Sequence, residues 1–160
     1  MIERYAIPGD PIPKGRPRVA LRGGRAMAYT PRRTELWEAT AATLIRAQRG
    51  PLPPLAGPVK LTVEAVARRP KRLRRRADDP FRVWRPTRPD IDNVAKAVMD
   101  ALVLAGVLLD DGQVVYLVGL SWYAAKAAGP VVEFQLEPAP GLEQAAGWYD
   151  PDRVRAGLPG

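Results

Sequence analysis

Five of the chain's 17 acidic residues, Asp90, Asp92, Asp100, Asp110 and Asp111, fall between positions 90 and 111, with Lys96 among them. Asp90-Ile91-Asp92 sets two carboxylates two residues apart at the start of an apolar-periodic stretch that reads as a helix, where backbone N–H groups lack intrahelical partners. Lys96 follows Asp92 by four residues and Asp100 follows Lys96 by four, so the three share one helix flank and Asp100 reads as the ion-pair partner of Lys96. Asp110 and Asp111 lie beyond that helix, in a turn before the next strand. If that strand packs beside the helix start, a third carboxylate joins Asp90 and Asp92. Such an oxygen-only ligand set suits Mg²⁺, with Mn²⁺ as a substitute. A cation so held activates water and offsets charge developing on a phosphoryl group.

The chain has no His and no Cys. Ser-His-Asp triads, His- or thiolate-ligated zinc, cysteine nucleophiles and disulfide staples are therefore excluded together. Hydrolysis by this chain has to use carboxylates, lysine or metal-bound water. The balance of 25 basic against 17 acidic residues gives a net charge of +8 and a pI near 10.3, which favours a polyanionic partner such as nucleic acid. The basic residues are concentrated: seven of the nine positions 68–76 are Lys or Arg. An acidic cluster directly after that run weakens polyanion binding unless a cation bridges acids and phosphate. Taken singly, an Asp at a helix start, a Lys-Asp pair four apart and an Asp-Asp-Gly turn each have purely structural explanations. Their combination is what points to a site.

At 160 residues the chain has room for one core. Residues 2–7 alternate as a first strand, followed by a Pro- and Gly-rich loop to about Ala28. Thr30 as N-cap with Pro31 at the first helical position predicts a helix ending near Gly50, with Leu36, Trp37, Thr40, Leu44 and Ala47 on its apolar face. Val59, Leu61, Val63 and Ala65 alternate with Lys60, Thr62 and Glu64 as a half-buried strand. Residues 68–88 form a basic exposed loop. Ile91, Val94, Ala95, Val98, Ala101, Leu102 and Ala105 then line one face of a second helix, which Gly106 stops. QVVYLVGLSWYA and PVVEFQLEP read as two strands joined in a hairpin. The order β-α-β-α-β-β predicts an α+β fold, a single domain over 1–137 whose helices pack on one face of a small mixed sheet, with a tail at 138–160. No run approaches a membrane span and the N-terminus lacks a signal-like segment, so a cytoplasmic protein is expected.

The string RPDIDNVAKAVMDALVLAGVLLDDGQVV, residues 88–115, resembles the RusA family of Holliday-junction resolvases. The shared pattern is Asp-x-Asp-Asn, a Lys four residues past the second Asp, Asp-Ala-Leu, a Gly, and Asp-Asp-x-Gln-Val-Val. The segment Pro11 to Arg18, followed by Tyr29-Thr30-Pro31, is similar to phage-type members, and the likeness spans roughly residues 5–137. The resemblance implies catalytic roles for Asp90, Asp92, Lys96 and Asp111, with Asp90, Asp92 and Asp111 on Mg²⁺; Asn93, beside them, reads as a group that orients a ligand. It also implies a homodimer that introduces paired, symmetric nicks across four-way DNA junctions in recombination and repair. The long Arg-rich loop and the tail depart from the family pattern and leave the substrate among junctions, flaps and forks open.

Arg72, Arg74, Arg75 and Arg76 are expected to contact the DNA backbone, with Lys14, Arg16 and Arg18 as a second clamp. Trp84 and Phe81 read as core packing or loop anchors before groups that wedge into or stack on bases at a junction opening, and Trp37 and Trp122 as core. Met99 and Val103, apolar on the Lys96 flank, mark a candidate dimer contact. The competing readings are a non-catalytic basic DNA-binding module, separated by metal-dependent cleavage, and a basic assembly protein, which would show no preference for branched DNA.

Overall fold

The strand β4 (Val59–Ala67) organises the molecule. Its Val59, Leu61, Val63 and Ala65 are buried, while Lys60, Thr62 and Glu64 between them are half-buried on the opposite face, as period-two alternation requires. The computed structural model describes residues 2–15, 18–29 and 31–141. Within these, β4 sits at the centre of a five-stranded mixed sheet with β1 (Glu3–Pro8), β5 (Val83–Trp84), β6 (Val114–Tyr123) and β7 (Val131–Pro138), in the order β1-β7-β4-β6-β5. β4 and β6 are parallel, because α2 (Ile91–Ala105) lies in the crossover between them. The other pairings are antiparallel.

α1 (Arg32–Arg49) and α2 both cover the face formed by Tyr5, Ile7, Leu61, Val63, Val132, Phe134 and Leu136, which with the buried helix residues make one core. This is the expected α+β architecture. α2 buries Val94, Ala95, Ala97, Val98, Ala101 and Leu102 and ends at Gly106 in the left-handed conformation, its N–H bonded to the Leu102 carbonyl, a conformation only glycine adopts cheaply.

Four expectations need correction. The strands β6 and β7 do not form a hairpin: β4 lies between them. Crossing one strand requires about 10 Å, which the connection at 124–130 spans, and the central place goes to the strand with the most continuous buried face. The segment to Ala28 is not all loop, since β2 (Arg18–Arg22) and β3 (Arg25–Tyr29) pair antiparallel through Gly23 and Gly24, both at positive φ. The apolar face of α1 is rotated from the expected one: Thr34, Ala41, Ala42 and Ile45 are buried, Trp37 and Leu44 pack at the core's edge, and Leu36, Thr40 and Ala47 are exposed. The helix also starts one residue late, with the Pro31 carbonyl accepting from Thr34 and Glu35; Thr30 lies outside the described residues. Finally, Trp122 is half-buried outside the core, and Trp84 and Phe81 are exposed.

The basic loop is anchored. Arg69 is buried and donates to the carbonyls of Leu73, Asp79 and Phe81, and Lys126 donates to those of Arg75 and Asp78. No helix among the described residues is long and apolar enough to cross a membrane.

Candidate active site

Asp90 immediately precedes α2 but does not cap it: its side chain makes no cap hydrogen bond, and among the described residues only its carbonyl is engaged, accepting from Asn93 and Val94 at 3.2 Å. The carboxylate therefore stays available. Asp92, in the first turn, is exposed and, among the described residues, is paired with Lys96 at 3.6 Å. Both acids line a recess of about 390 Å³ together with Arg85 to Ile91 and Ser121. Asp90 also borders a second concavity of about 630 Å³ that includes Arg33, Arg88 and Asn93, so guanidinium groups flank the acids on two sides.

The loop that delivers Asp90 is held by Arg85. This residue is 5% exposed and has no carboxylate partner among the described residues. Its guanidinium donates to the carbonyls of Arg88, at 2.8 Å, and Pro89, at 3.1 Å, the two residues before Asp90, and its own N–H donates to Ser121 at 3.0 Å. Burial lowers its pKa from the ordinary value, against the pull of Tyr123, Asp10 and Asp90, yet an arginine stays charged at physiological pH. Nothing in the sequence distinguished Arg85 from the other arginines around it. Opposite the helix start, Gly119 of β6 leaves no room for a side chain, since a Cβ there would stand 2.6 Å from Ile91 Cγ1. The glycine lets the first turn of α2 lie against the sheet.

Asp111 is at the other end of α2. That helix has 15 residues and, at 1.5 Å each, separates its ends by about 22 Å. β6 begins beside the helix's C-terminal end and reaches its N-terminal end only at Gly119, so the third carboxylate does not join Asp90 and Asp92 within one chain. No group of three acids among the described residues is arranged to hold a metal. Asp110 and Asp111 are nevertheless distinct. Asp110 accepts from Gly112 N at 2.8 Å and caps the turn Asp111–Gln113, while Gln113 Oε1 accepts from Leu109 N at 2.7 Å. Asp111 is exposed and its carboxylate has no partner among the described residues.

Asp100 is not the partner of Lys96. Lys14 Nζ lies 2.7 Å from Asp100 and 2.9 Å from Glu38, and the Lys14 backbone N–H donates to Asn93 O at 2.8 Å. Burial opposes the Lys14 charge, but the hydrogen bonds to Asp100 and Glu38 outweigh it and raise its pKa. For Glu38 the balance reverses: burial, together with the neighbouring Asp100, raises its carboxyl pKa against the pull of Lys14. Lys14 thus pins the N-terminal loop across both helices, its ammonium shared between two carboxylates. Arg16 lies outside the described residues, and Arg18 is described only as a position in β2. Arg72, Arg74, Arg75 and Arg76 are all exposed, and none has a carboxylate partner among the described residues. Met99 packs on the core, whereas Val103 is exposed.

A family described as Endodeoxyribonuclease RusA matches residues 8–135 of this chain. The chain is also similar to the uncharacterized protein YqaN of Bacillus subtilis (strain 168), with 30% identity over 126 residues that cover 76% of this chain and 87% of that protein.

Proposed function

The chain belongs to the RusA family of endodeoxyribonucleases, and from that membership we propose that it is a Mg²⁺-dependent endonuclease that resolves Holliday junctions by paired, symmetric nicks. It acts as a homodimer on cytoplasmic DNA in recombination and repair. Asp90 and Asp92 of one subunit, with Asp111 of the partner subunit, hold the cation, and Mn²⁺ substitutes for it. The observation that carries this reading is the placement of uncommitted carboxylates at opposite ends of one helix. A two-fold axis near the middle of α2 makes the two copies of the helix antiparallel and exchanges their ends, so each pair of N-terminal acids meets the partner's C-terminal acid.

An exposed apolar surface supports such an axis. Leu117 neighbours buried Leu61 across the sheet, so it and Val115 face the helix side, where α2 leaves both exposed, and Val103 of α2 is exposed as well. Beyond its two-residue pairing with β5, the outer edge of β6 has no partner strand among the described residues. A two-fold dimer presents two centres to a junction that is itself two-fold symmetric, which accounts for paired incision.

A divalent cation in such a site lowers the pKa of bound water and offsets charge on the phosphoryl oxygens. The residues of the chain do the rest. Arg85 fixes the backbone before Asp90. Lys96, held within reach of Asp92, directs its ammonium toward the phosphate or the attacking water, and Asn93 supports the acids. Arg72, Arg74, Arg75 and Arg76 neutralise backbone phosphates, which gives an affinity that falls steeply with salt and does not depend on sequence.

The test is cleavage of an end-labelled four-way junction and a matched linear duplex in Mg²⁺, Mn²⁺ or EDTA. Symmetric nicks in the junction alone, abolished by EDTA, are expected. Tight junction binding without cleavage in either metal would make the chain a binding module instead.

A further inference from the structure

The sheet face away from the helices ends, at the corner formed by β5 and β6, in a fixed aromatic pair. Trp84 stacks on Trp122 with ring centroids 3.6 Å apart and planes at 17°. Their backbones are paired across the two strands, and the next residue, Arg85, donates its N–H to Ser121, so Trp84 is held from its backbone as well as from one ring face. The residue is still 64% exposed. Leaving that much indole in water has a cost, and stacking on Trp122 orients the ring without covering its outer face.

The chemistry around this pair selects the occupant. The adjoining loop presents Arg72, Arg74, Arg75 and Arg76 to solvent. The loop's acids are committed to its backbone: Asp78 accepts from Arg75 N at 2.6 Å and Asp79 from Phe81 N at 2.8 Å. Arg82 is likewise occupied by Glu64 and Glu133. A flat apolar face that follows, in the chain, a loop of exposed arginines fits a ligand that has both a π-face and a phosphate chain. Adjacent strand residues point to opposite faces, so Ser121, which lines the recess of Asp90 and Asp92, and Trp122, which carries the stack, lie on either side of one strand end. The recess of the acids and the aromatic stack therefore meet at adjacent residues of β6.

We infer that the outer face of Trp84 is a stacking platform for an unpaired nucleobase at the branch point of the substrate. The inference rests on reading the chain as a branched-DNA nuclease, and it adds a means of preferring branched DNA over duplex, because a fully stacked base pair cannot reach the ring.

The experiment measures binding in EDTA, where nothing is cut. Wild-type protein, Trp84→Ala and Trp84→Phe are titrated against a four-way junction carrying 2-aminopurine at the crossover and against a linear duplex of the same sequence. Thermal melting checks that both variants fold. Trp84→Ala is expected to weaken junction binding by about 5- to 150-fold, the range for loss of one base–aromatic stack. Duplex binding is expected to change by less than about twofold, and Trp84→Phe to restore most of the junction affinity. The 2-aminopurine signal should respond to wild type and Trp84→Phe but not to Trp84→Ala. Equal junction affinity in wild type and Trp84→Ala overturns the inference. So does an equal loss on junction and duplex, which marks a general backbone contact, and so does a loss of self-association in Trp84→Ala, which marks a subunit contact. A wild-type protein that cuts no junction in Mg²⁺ or Mn²⁺ removes the nuclease reading but leaves the binding result readable.

Discussion

Asp111→Asn is expected to lower junction cleavage by roughly a thousand-fold while Asp110→Asn cleaves within about threefold of wild type, although the two residues are neighbours with the same side chain. Losing a metal ligand removes several kcal/mol of transition-state stabilisation, and an amide in place of the Asp111 carboxylate removes the charge that binds the cation. Asp110 is occupied in the turn, where its Oδ1 accepts from Gly112 N. An asparagine there keeps the accepting oxygen and caps nearly as well. Single-turnover cleavage of a labelled junction in Mg²⁺ separates the two, with binding in EDTA unchanged in both variants. An inactive Asp110→Asn beside an active Asp111→Asn would exchange the roles assigned to them.

Arg85→Ala should reduce cleavage by about a hundred-fold, the scale associated with displacing a catalytic group by about 1 Å. The mutation leaves the carbonyls of Arg88 and Pro89 without their donor and frees the backbone that positions Asp90. Loss of two charge-assisted bonds at a buried site also costs roughly 2–4 kcal/mol of stability. Arg85→Lys keeps the charge but not the fork that reaches both carbonyls, so a loss of about tenfold is expected, in a protein that folds. A clamp that positions a metal ligand predicts more than a weaker fold: the Mg²⁺ concentration for half-maximal cleavage rises in Arg85→Lys while junction affinity in EDTA holds. A lower melting temperature with an unchanged Mg²⁺ midpoint would limit Arg85 to a structural role.

The parts of the fold that were legible in the sequence are those where one periodicity is uninterrupted. β4 alternates cleanly because one face is covered by both helices, and the apolar stripe of α2 faces one sheet and ends on a glycine with a left-handed backbone. The apolar face of α1 was misplaced because two of its buried residues, Ala41 and Ala42, are alanines, which carry little hydrophobic signal, while the larger Leu36 is exposed. The hairpin of β2 and β3 did leave a trace, since Gly23 and Gly24 both take positive φ as a two-residue hairpin turn demands, but the surrounding prolines and arginines masked it. Strand neighbours are not encoded locally. Whether β7 lies beside β6 or beyond β4 is decided by which strand has a face fit for the centre of the sheet.

The site was legible as composition and spacing, and its assembly was not. Asp90, Asp92, Lys96 and Asp111 stand out because acids follow a basic run, but the length of α2 keeps Asp111 about 22 Å from the helix start. Convergence therefore has to come from symmetry, which one chain's sequence does not display. Nothing local to Lys14 shows that folding brings Glu38 and Asp100 to it. Arg85 was hidden for a similar reason: its role comes from what it is packed against.

Subunit complementation tests the composite site most directly. Asp90→Asn and Asp111→Asn are each expected to be inactive as homodimers. In a mixed dimer one centre carries both substitutions, and the other combines Asp90 of the Asp111→Asn chain with Asp111 of the Asp90→Asn chain, so it is intact. Unfolding and refolding the two variants together should restore Mg²⁺-dependent cleavage, as one nick per junction rather than two. If instead each site were built from a single chain, both centres of the mixed dimer would carry a defect. A mixture that exchanges subunits and remains inactive would contradict the account.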